Sequence, residues 1–278
     1  YRGMDIGTAK ITKEQMDGVP HHLIDIMDPS DSFHVMAFQQ KCKEAMEDIY
    51  ARHKIPILVG GTGFYIQSVL YDISFTETDT DIEYRQELQK IAEEQGGYVL
   101  HARLAKIDPE AADEIHPNNV KRVIRALEFN HQTGEKISIH NEQERQKKSP
   151  YQFRYYVLSL PREILYDRIN RRVDMMRRDG LVDEVKGLLQ QGITPNMVSM
   201  QGLGYKEIID ALQGSCSFEE AFERIKRETR HFAKRQFTWF RRERDVTWID
   251  KETYENEDAI LQYMIEDLKN AHILPADQ

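Results

Sequence analysis

Residues 55–65 have the sequence IPILVGGTGFY, and this stretch decides the fold class that the chain predicts. Its apolar run Ile57 to Val59 has no polar alternation, which is typical of a parallel strand buried on both faces. A glycine-rich turn follows at 60–63, and the run Phe64 to Leu70 is compatible with a helix. Because ligands of open α/β sheets bind at the carboxyl ends of such strands, the sequence predicts a site at this turn.

The turn itself consists of Gly60, Gly61, Thr62 and Gly63. Backbone amides without side chains can approach an anion closely, and the Thr62 hydroxyl can donate to a leaving oxygen. The alternative is a plain glycine turn in which Thr62 caps the next helix. The pattern is not a G-x-x-x-x-G-K-[ST] phosphate loop, so the residues alone leave both interpretations open.

Composition limits the class of protein. With 278 residues the chain can form one large or two ordinary domains. Charged residues make up 31%, mean hydropathy is −0.65, and no apolar run approaches the ~20 residues that span a bilayer, so we expect a soluble protein without a membrane partner. Cys42 and Cys216 lie far apart, which indicates neither a disulfide framework nor a zinc site and fits a reducing cytoplasm. The chain opens on Tyr1 rather than Met, so we expect that it lacks its natural amino terminus.

The first part of the chain predicts a βαβ unit. Its elements are a short strand at Val19 to Ile26, a helix from Phe33 to Arg52 and the strand at Ile57. His21 and His22 are candidate metal ligands, but neighbouring residues of a strand point to opposite faces, so we favour structural histidines. No metal ligands are assigned in this chain.

Residues 77–150 are predicted to form a helical insertion between two parts of an α/β core, 1–76 and 151–278. Capping-box spacing at Thr80 to Glu83 opens a helix through Glu94. A later helix has one apolar stripe, formed by Val120, Val123, Ile124 and Leu127. Lys121, Arg122 and Arg125 lie on its opposite face. A solvated charge stripe and a phosphate-facing surface both remain possible for them.

The second part of the core carries the remaining elements. We predict strands at Tyr155 to Leu160 and Val246 to Asp250, a helical region from Arg162 to Gln190 that breaks near Gly180, and a closing helix from Glu257 to Ala271. The segment Gln201 to Lys206, QGLGYK, is a glycine-rich turn that ends in a cation. It suits a phosphate or a backbone, and it is also compatible with a loop that starts a helix.

The clearest periodic segment is a long basic helix at 217–244. Ser217 and Glu220 form a capping box at its start. One side of the helix carries Phe222, Ile225, Phe232, Gln236 and Phe240. Residues 224–244 contain nine Lys and Arg against two Glu, a local charge of 9 − 2 = +7 in a chain of net charge −9. The net charge argues against a protein that coats nucleic acid indiscriminately, whereas this segregation predicts a binding surface for a polyanion.

Four stretches together resemble one family. They are YRGMDIGTAK (1–10), PILVGGTGFY (56–65), HPNNVKRVIRALE (116–128) and KRQFTWFR (234–241). In this order and spacing they are similar to the bacterial tRNA dimethylallyltransferases, also called tRNA isopentenyltransferases. The resemblance implies an α/β fold with a P-loop-kinase-like parallel sheet core and a mostly helical insertion.

The same resemblance implies an activity and its partners. Such enzymes transfer a dimethylallyl group from dimethylallyl diphosphate to the exocyclic amine of the adenosine 3′ of the anticodon. It implies Mg²⁺ as the cofactor, the tRNA anticodon stem-loop and dimethylallyl diphosphate as partners, and a monomer.

By resemblance, Thr62 binds the diphosphate and helps its bridging oxygen leave, with Gly60, Gly61, Gly63 and Lys206 on the diphosphate side. The implied tRNA contacts are Arg85, Lys121, Arg122, Arg125, Gln201, Gly202, Gly204, Tyr205, Lys206, Lys234, Arg235, Gln236, Thr238, Trp239 and Arg241. Lys206 stands where the family pattern has arginine, so a bidentate contact is not expected there.

The family also has a P-loop, a metal ligand and a general-base aspartate ahead of the position that matches Tyr1. We therefore expect this chain to be nearly inactive as written. The alternatives are an isopentenyltransferase that acts on free AMP, a P-loop small-molecule kinase, and an RNA-binding protein without catalysis. The basic helix argues against AMP as the acceptor, because a mononucleotide needs no extended cationic surface.

Overall fold

The computed structural model describes residues 1–75 and 81–275 and divides the chain into two compact units. One unit combines Tyr1–Val69 with Tyr151–Gln278, and the other is Leu70–Pro150. Among the described helices, none is both long enough and apolar enough to cross a membrane. Each unit has its own cluster of buried apolar side chains.

Most of the described chain is helical. The helices are α1 (Val35–Ala51), α2 (Gly63–Leu70), α3 (Ile82–Gln95), α4 (Gly97–Ile107), α5 (Pro109–Glu114), α6 (Val120–Thr133), α7 (Ile137–Gln146), α8 (Arg162–Arg178), α9 (Leu181–Gln190), α10 (Tyr205–Leu212), α11 (Phe218–Phe240) and α12 (Glu257–Asn270). The predicted helices are confirmed to within a few residues. The sequence did not predict α7, and it left α10 as one of two alternatives for the turn at Gln201 to Lys206. The predicted break lies at Gly180, whose φ of 99° a residue with a side chain rarely adopts.

The two predicted strands of the second core part are confirmed, and they form a parallel pair. They are β1 (Tyr155–Ser159) and β2 (Val246–Asp250), with Tyr155 opposite Val246 and Ser159 opposite Asp250. Parallel neighbours need a long crossover, and the helices α8 to α11 supply it. Within the described residues this pair is the whole sheet, so the structure is mostly helical with a small parallel sheet.

The predicted strand at Ile57 to Val59 is wrong for this structure. Residues 54–60 belong to no helix or strand, and Ile57 and Val59 are 83% and 86% exposed. A parallel strand is buried only when neighbouring strands and covering helices meet it. The apolar run indicates that burial of these side chains would be favourable, but it does not specify a partner strand. No strand among the described residues pairs with it.

The predicted strand at Val19 to Ile26 is also wrong. Leu23 and Asp25 have φ of 61° and 55°, whereas a strand requires negative φ throughout. The bend is held by Arg2, whose Nη1 donates to the Asp25 carbonyl at 3.0 Å, and by an ion pair between Lys10 and Asp25. Polar contacts from the first residues of the chain thus replace a ladder here.

The core of the first unit lies among α8, α9, α10 and α11, and the loop residue Met4 joins it. The capping box at Ser217 is confirmed: the Ser217 Oγ accepts from the Glu220 amide at 3.2 Å. The predicted apolar side of α11 is buried in part. Ile225 is 2% exposed within the core, whereas Phe232 is 39% exposed.

The second unit packs α3, α4, α5 and α6 around a separate core that contains Leu88, Leu104 and Val123. The predicted capping box begins at Thr80, which lies outside the described residues. In the described part Asp81 caps α3, and its carboxylate accepts from the Tyr84 amide at 2.9 Å. The apolar stripe of α6 is confirmed at its centre, because Val123, Ile124 and Leu127 are all buried.

Burial rather than size decides what the side chains of α11 contribute to stability. We expect Ile225→Ala to lower the free energy of unfolding by about 2–5 kcal/mol, because it leaves a cavity in the core. Phe232→Ala removes a larger but exposed side chain and is expected to cost less. Urea unfolding of both variants measures the difference. A larger loss for Phe232→Ala would contradict this assignment of the core.

Candidate functional site

The glycine-rich turn presents Thr62 at the start of α2. The Thr62 carbonyl accepts from the amides of Tyr65 and Ile66 at 2.9 and 3.2 Å, which begins the helix. The Thr62 side chain is exposed, and its hydroxyl makes no hydrogen bond within the described part of the chain. The alternative in which this hydroxyl caps α2 is therefore not seen, and the hydroxyl is accessible to a ligand.

The turn lies directly against α11. The Gln236 Nε2 donates to the Gly61 carbonyl at 2.9 Å. A Cβ added at Gly63 would overlap the ring of Trp239, and Phe64 meets the same ring edge-on with centroids 6.2 Å apart. Gln236 and Trp239, predicted as tRNA contacts, thus join the predicted diphosphate turn to the basic helix.

The segment Gln201 to Lys206 is an ordered turn that leads into α10. Gly204 has φ of 96°, and its amide donates to Glu207 at 2.9 Å. The Gln201 Nε2 donates to the Pro195 carbonyl at 2.6 Å. Gln201, Gly202 and Lys206 are exposed, so they are the groups of this turn that a ligand can reach.

One predicted role at this turn needs revision. Tyr205 is 1% exposed and its hydroxyl donates to Glu184 at 2.7 Å, so it supports the turn instead of offering a surface to RNA. Burial, with the hydrogen bond to Glu184, raises the pKa of the Tyr205 hydroxyl. Lys206, predicted on the diphosphate side and as a tRNA contact, is exposed, and its ammonium lies 3.6 Å from the Glu207 carboxylate.

Two cations in the first half of α11 pair with acids from other elements. Arg224 pairs with Asp210 at 2.7 Å. Lys226 pairs with Asp174 at 2.8 Å and with Glu223 at 2.9 Å. The local charge of +7 counted along the sequence therefore overstates the charge available to a partner, because it left out acids that only folding brings close.

The exposed cations without an ion pair lie in the carboxyl-terminal half of α11 and just beyond it. Lys234, Arg235, Arg241 and Arg242 form no ion pair with another described residue. Arg235 lies over the Phe232 ring, 5.7 Å from its centroid, and Thr238 is exposed on the same segment. This half of the helix is the part whose charge fits a polyanion.

A groove beside these cations was missed by the sequence analysis. It has a volume of about 350 Å³, and its lining includes Arg162 and Tyr166 from α8 together with Lys234, Phe237 and Arg241. Leu160, just after β1, also lines it. The rule that ligands bind at the carboxyl ends of parallel strands applies equally to β1 and would have indicated it.

In the second unit, Lys121, Arg122 and Arg125 lie on the exposed face of α6, opposite its buried stripe. Arg85, by contrast, binds a carboxylate of the same unit. Its Nη2 donates to Glu128 at 2.8 Å and its Nε to the other oxygen of that carboxylate, and Glu128 is 1% exposed. Because a buried carboxylate needs a partner, Arg85 has a structural role besides the predicted contact with tRNA.

The two histidines considered as metal ligands are both exposed, and the His21 Nδ1 lies 2.8 Å from the Val19 carbonyl. Across the described ranges, no group of three or more His, Cys, Asp or Glu side chains could hold a metal ion. The structure therefore does not show a metal site made by these protein side chains alone.

Comparison with known proteins shows the family to which this chain belongs. The family described as IPP transferase matches residues 1–243. The chain belongs to the IPP transferase family. A tRNA dimethylallyltransferase of Lachnoclostridium phytofermentans is 54% identical over 274 residues, which cover 99% of this chain and 88% of that protein. One of Bacillus cereus strain B4264 is 49% identical over 264 residues, covering 95% of this chain and 83% of that protein.

Solved structures of similar proteins show the IPP transferase fold. A tRNA isopentenylpyrophosphate transferase of Bacillus halodurans superposes with a TM-score of 0.69 at 45% identity, covering 98% of this chain and 86% of that one. A eukaryotic dimethylallyltransferase captured acting on tRNA gives 0.77 at 29% identity, covering 99% of this chain and 71% of that one. This IPP transferase thus shares its fold with a tRNA isopentenylpyrophosphate transferase of Bacillus halodurans and with a eukaryotic dimethylallyltransferase.

The close approach of Gly63 to Trp239 generates a prediction. In this IPP transferase, Gly63→Ala is expected to cost about 1–3 kcal/mol of unfolding free energy, because the new methyl group must displace the indole ring. Gly60→Ala is the matched control, since a Cβ there meets open space and its φ is not in the left-handed region. Urea unfolding measures both; equal losses would show that the turn does not pack on α11 as described.

Proposed function

We propose that this IPP transferase moves a dimethylallyl group from dimethylallyl diphosphate to the exocyclic amine of the adenosine 3′ of the anticodon in tRNA. The observation that carries the proposal is the exposed Thr62 hydroxyl on a turn that packs against α11. It packs on the carboxyl-terminal half of this helix, which also carries the exposed cations Lys234 and Arg235. A candidate site for the diphosphate therefore lies next to a candidate surface for a polyanion. The relatives named above as tRNA dimethylallyltransferases support the same activity.

The reaction breaks the carbon–oxygen bond of the allylic diphosphate and forms a carbon–nitrogen bond to the adenine amine. The diphosphate leaves with the bonding electron pair, and the amine releases a proton to solvent. A weak amine reacts only if the charge on the departing oxygen is stabilised. In the proposed arrangement the Thr62 hydroxyl donates to that oxygen, and the glycine amides on either side approach the phosphates.

The acceptor base has to leave the anticodon loop, because its amine is out of reach while the base is stacked. We propose that cations on two surfaces hold the RNA for this step. One surface is formed by Lys234, Arg235 and Arg241 in the first unit, and the other by Lys121, Arg122 and Arg125 in the second. Such phosphate contacts position the RNA, while the unstacked bases of the loop supply sequence recognition.

We propose Mg²⁺ only as a companion of the diphosphate. Magnesium usually binds through one or two carboxylates together with substrate phosphates, so a cage of protein ligands is not required. The described residues contain no such cage. We further propose that the two-stranded sheet is part of a P-loop-kinase-like core, that the helical unit is a tRNA-contacting insertion, and that the protein acts in the cytoplasm as a monomer.

The role of Thr62 predicts a selective loss of transfer. The full-length protein is incubated with dimethylallyl diphosphate, Mg²⁺ and unmodified tRNA, and the nucleosides of the digested tRNA are identified by mass spectrometry. We expect Thr62→Ala to reduce transfer by about a hundredfold, because the leaving oxygen loses a donor. Thr62→Ser keeps the hydroxyl and is expected to retain most of the activity. Transfer to AMP but not to tRNA would overturn the proposed acceptor, and undiminished transfer by Thr62→Ala would remove Thr62 from the reaction.

The division of charge along α11 predicts which lysine matters for RNA. Lys234→Ala is expected to weaken tRNA binding and to lower the slope of log affinity against log salt by about 1, because one phosphate contact is lost. Lys226→Ala is the control, because Lys226 is already paired with Asp174 and Glu223. Fluorescence anisotropy titrations at several salt concentrations give both slopes. If Lys226→Ala changed the slope as much as Lys234→Ala, the RNA would not be selecting the exposed half of the helix.

A further inference from the structure

Glu184, in the first turn of α9, is bound by four neutral donors from two distant segments. Its Oε2 accepts from the amides of Asp5 and Ile6 at 2.8 and 2.7 Å. Its Oε1 accepts from the amide of Gly7 at 3.1 Å and from the Tyr205 hydroxyl at 2.7 Å. One carboxylate thus joins the loop near the start of the chain to the glycine-rich turn at Gln201 to Lys206.

The charge of Glu184 is balanced without a cation. Glu184 forms no ion pair within residues 1–75 and 81–275, so the hydrogen bonds of these donors are what stabilise its partly buried charge. Hydrogen bonds to an ionised acceptor are about twice as strong as neutral ones. Glu184 is the hydrogen-bond partner of three consecutive backbone amides, those of Asp5, Ile6 and Gly7. Glu184 therefore defines the conformation of the loop at Asp5 to Gly7.

The loop and the turn also pack directly on each other. A Cβ added at Gly7 would lie 2.6 Å from ring carbons of Tyr205 and 2.7 Å from its hydroxyl oxygen, so only glycine permits this approach. Tyr205 and Met4, just before the loop, are both 1% exposed in the same apolar cluster. The distance between loop and turn is therefore set by a ring against a backbone, with Glu184 bonded to both.

The other end of the turn is held independently. Ser199 is buried, and its Oγ donates to the Pro29 carbonyl at 2.6 Å. The Gly204 amide donates to Glu207, which is 1% exposed. These contacts shape the turn locally, whereas the bond from Tyr205 to Glu184 connects it to the loop. The exposed groups Gln201, Gly202 and Lys206 depend on all of them for their position.

We propose that Glu184 is a positioning residue for tRNA binding: through Tyr205 and the amides at Asp5 to Gly7 it holds the exposed groups of the Gln201 to Lys206 turn where they meet the RNA. The inference rests on the proposed function, because it assigns a support to one of the surfaces proposed to contact tRNA. Glu184 itself touches neither substrate, and its effect passes through the turn.

The test compares two tyrosines that each donate to a carboxylate. Tyr205→Phe removes the bond to Glu184, and Tyr156→Phe, the matched control, removes a bond of 2.6 Å to Asp267 in the same unit. We expect Tyr205→Phe to weaken tRNA binding about tenfold and Tyr156→Phe to change it less than twofold. The KM for tRNA should rise with Tyr205→Phe, while the KM for dimethylallyl diphosphate should not.

Hydrogen exchange of the Asp5, Ile6 and Gly7 amides gives a readout that does not depend on RNA. Tyr205→Phe and Glu184→Gln are both expected to speed exchange at these amides about tenfold, whereas Tyr156→Phe leaves them unchanged. Faster exchange with unaltered tRNA affinity would overturn the positioning role and leave only a structural one. Equal affinity losses for the two tyrosine variants would overturn it as well. If the unsubstituted protein does not bind tRNA, the proposed function fails first and this inference fails with it.

Discussion

The packing of a side-chain-free turn against α11 is the constraint on which the proposed site depends. Glycine at 63 lets the Trp239 ring lie against the backbone, and the Gln236 amide binds the Gly61 carbonyl on the same side. These contacts leave the Thr62 hydroxyl exposed at the start of α2. Because the same half of α11 carries Lys234 and Arg235, one element orients both the diphosphate turn and the RNA-facing charge. Holding two reactants on one element is an effective way to align them.

Charge in this protein is arranged by folding as well as by composition. The chain has a net charge of −9, and acids from α8 and α10 pair with cations in the first half of α11. The second half keeps exposed cations, so a local positive surface exists on an acidic protein. Such a surface steers a polyanion toward one place and away from the rest of the molecule. The groove beside Arg162 and Tyr166 extends this surface to the end of β1.

Three acidic side chains contribute to the proposed site by supporting other residues. Glu184 binds the loop near the start of the chain, Glu207 binds the amide of Gly204, and Glu128 binds Arg85. Each lies behind an exposed polar or cationic group, and two of them are 1% exposed. An acid of this kind resembles any solvated acid in the sequence, because its donors come from residues far along the chain or from the backbone. The sequence therefore predicts RNA contacts at Tyr205 and Arg85, but it does not indicate the acids Glu184 and Glu128 that bind them.

The sequence by itself determined the features that depend on near neighbours: the helices with their 3.6-residue stripes, the capping box at Ser217, the break at Gly180, the strands β1 and β2, and the glycine-rich turns. A periodic face or a cap is formed by residues within a few positions of each other, so it can be recognised locally. Only the tertiary structure decided that Ile57 and Val59 are exposed, that Val19 to Ile26 bends, and which cations of α11 are already paired. Burial, strand pairing and charge compensation depend on partners that distant segments bring or fail to bring, and an apolar or basic run does not specify those partners.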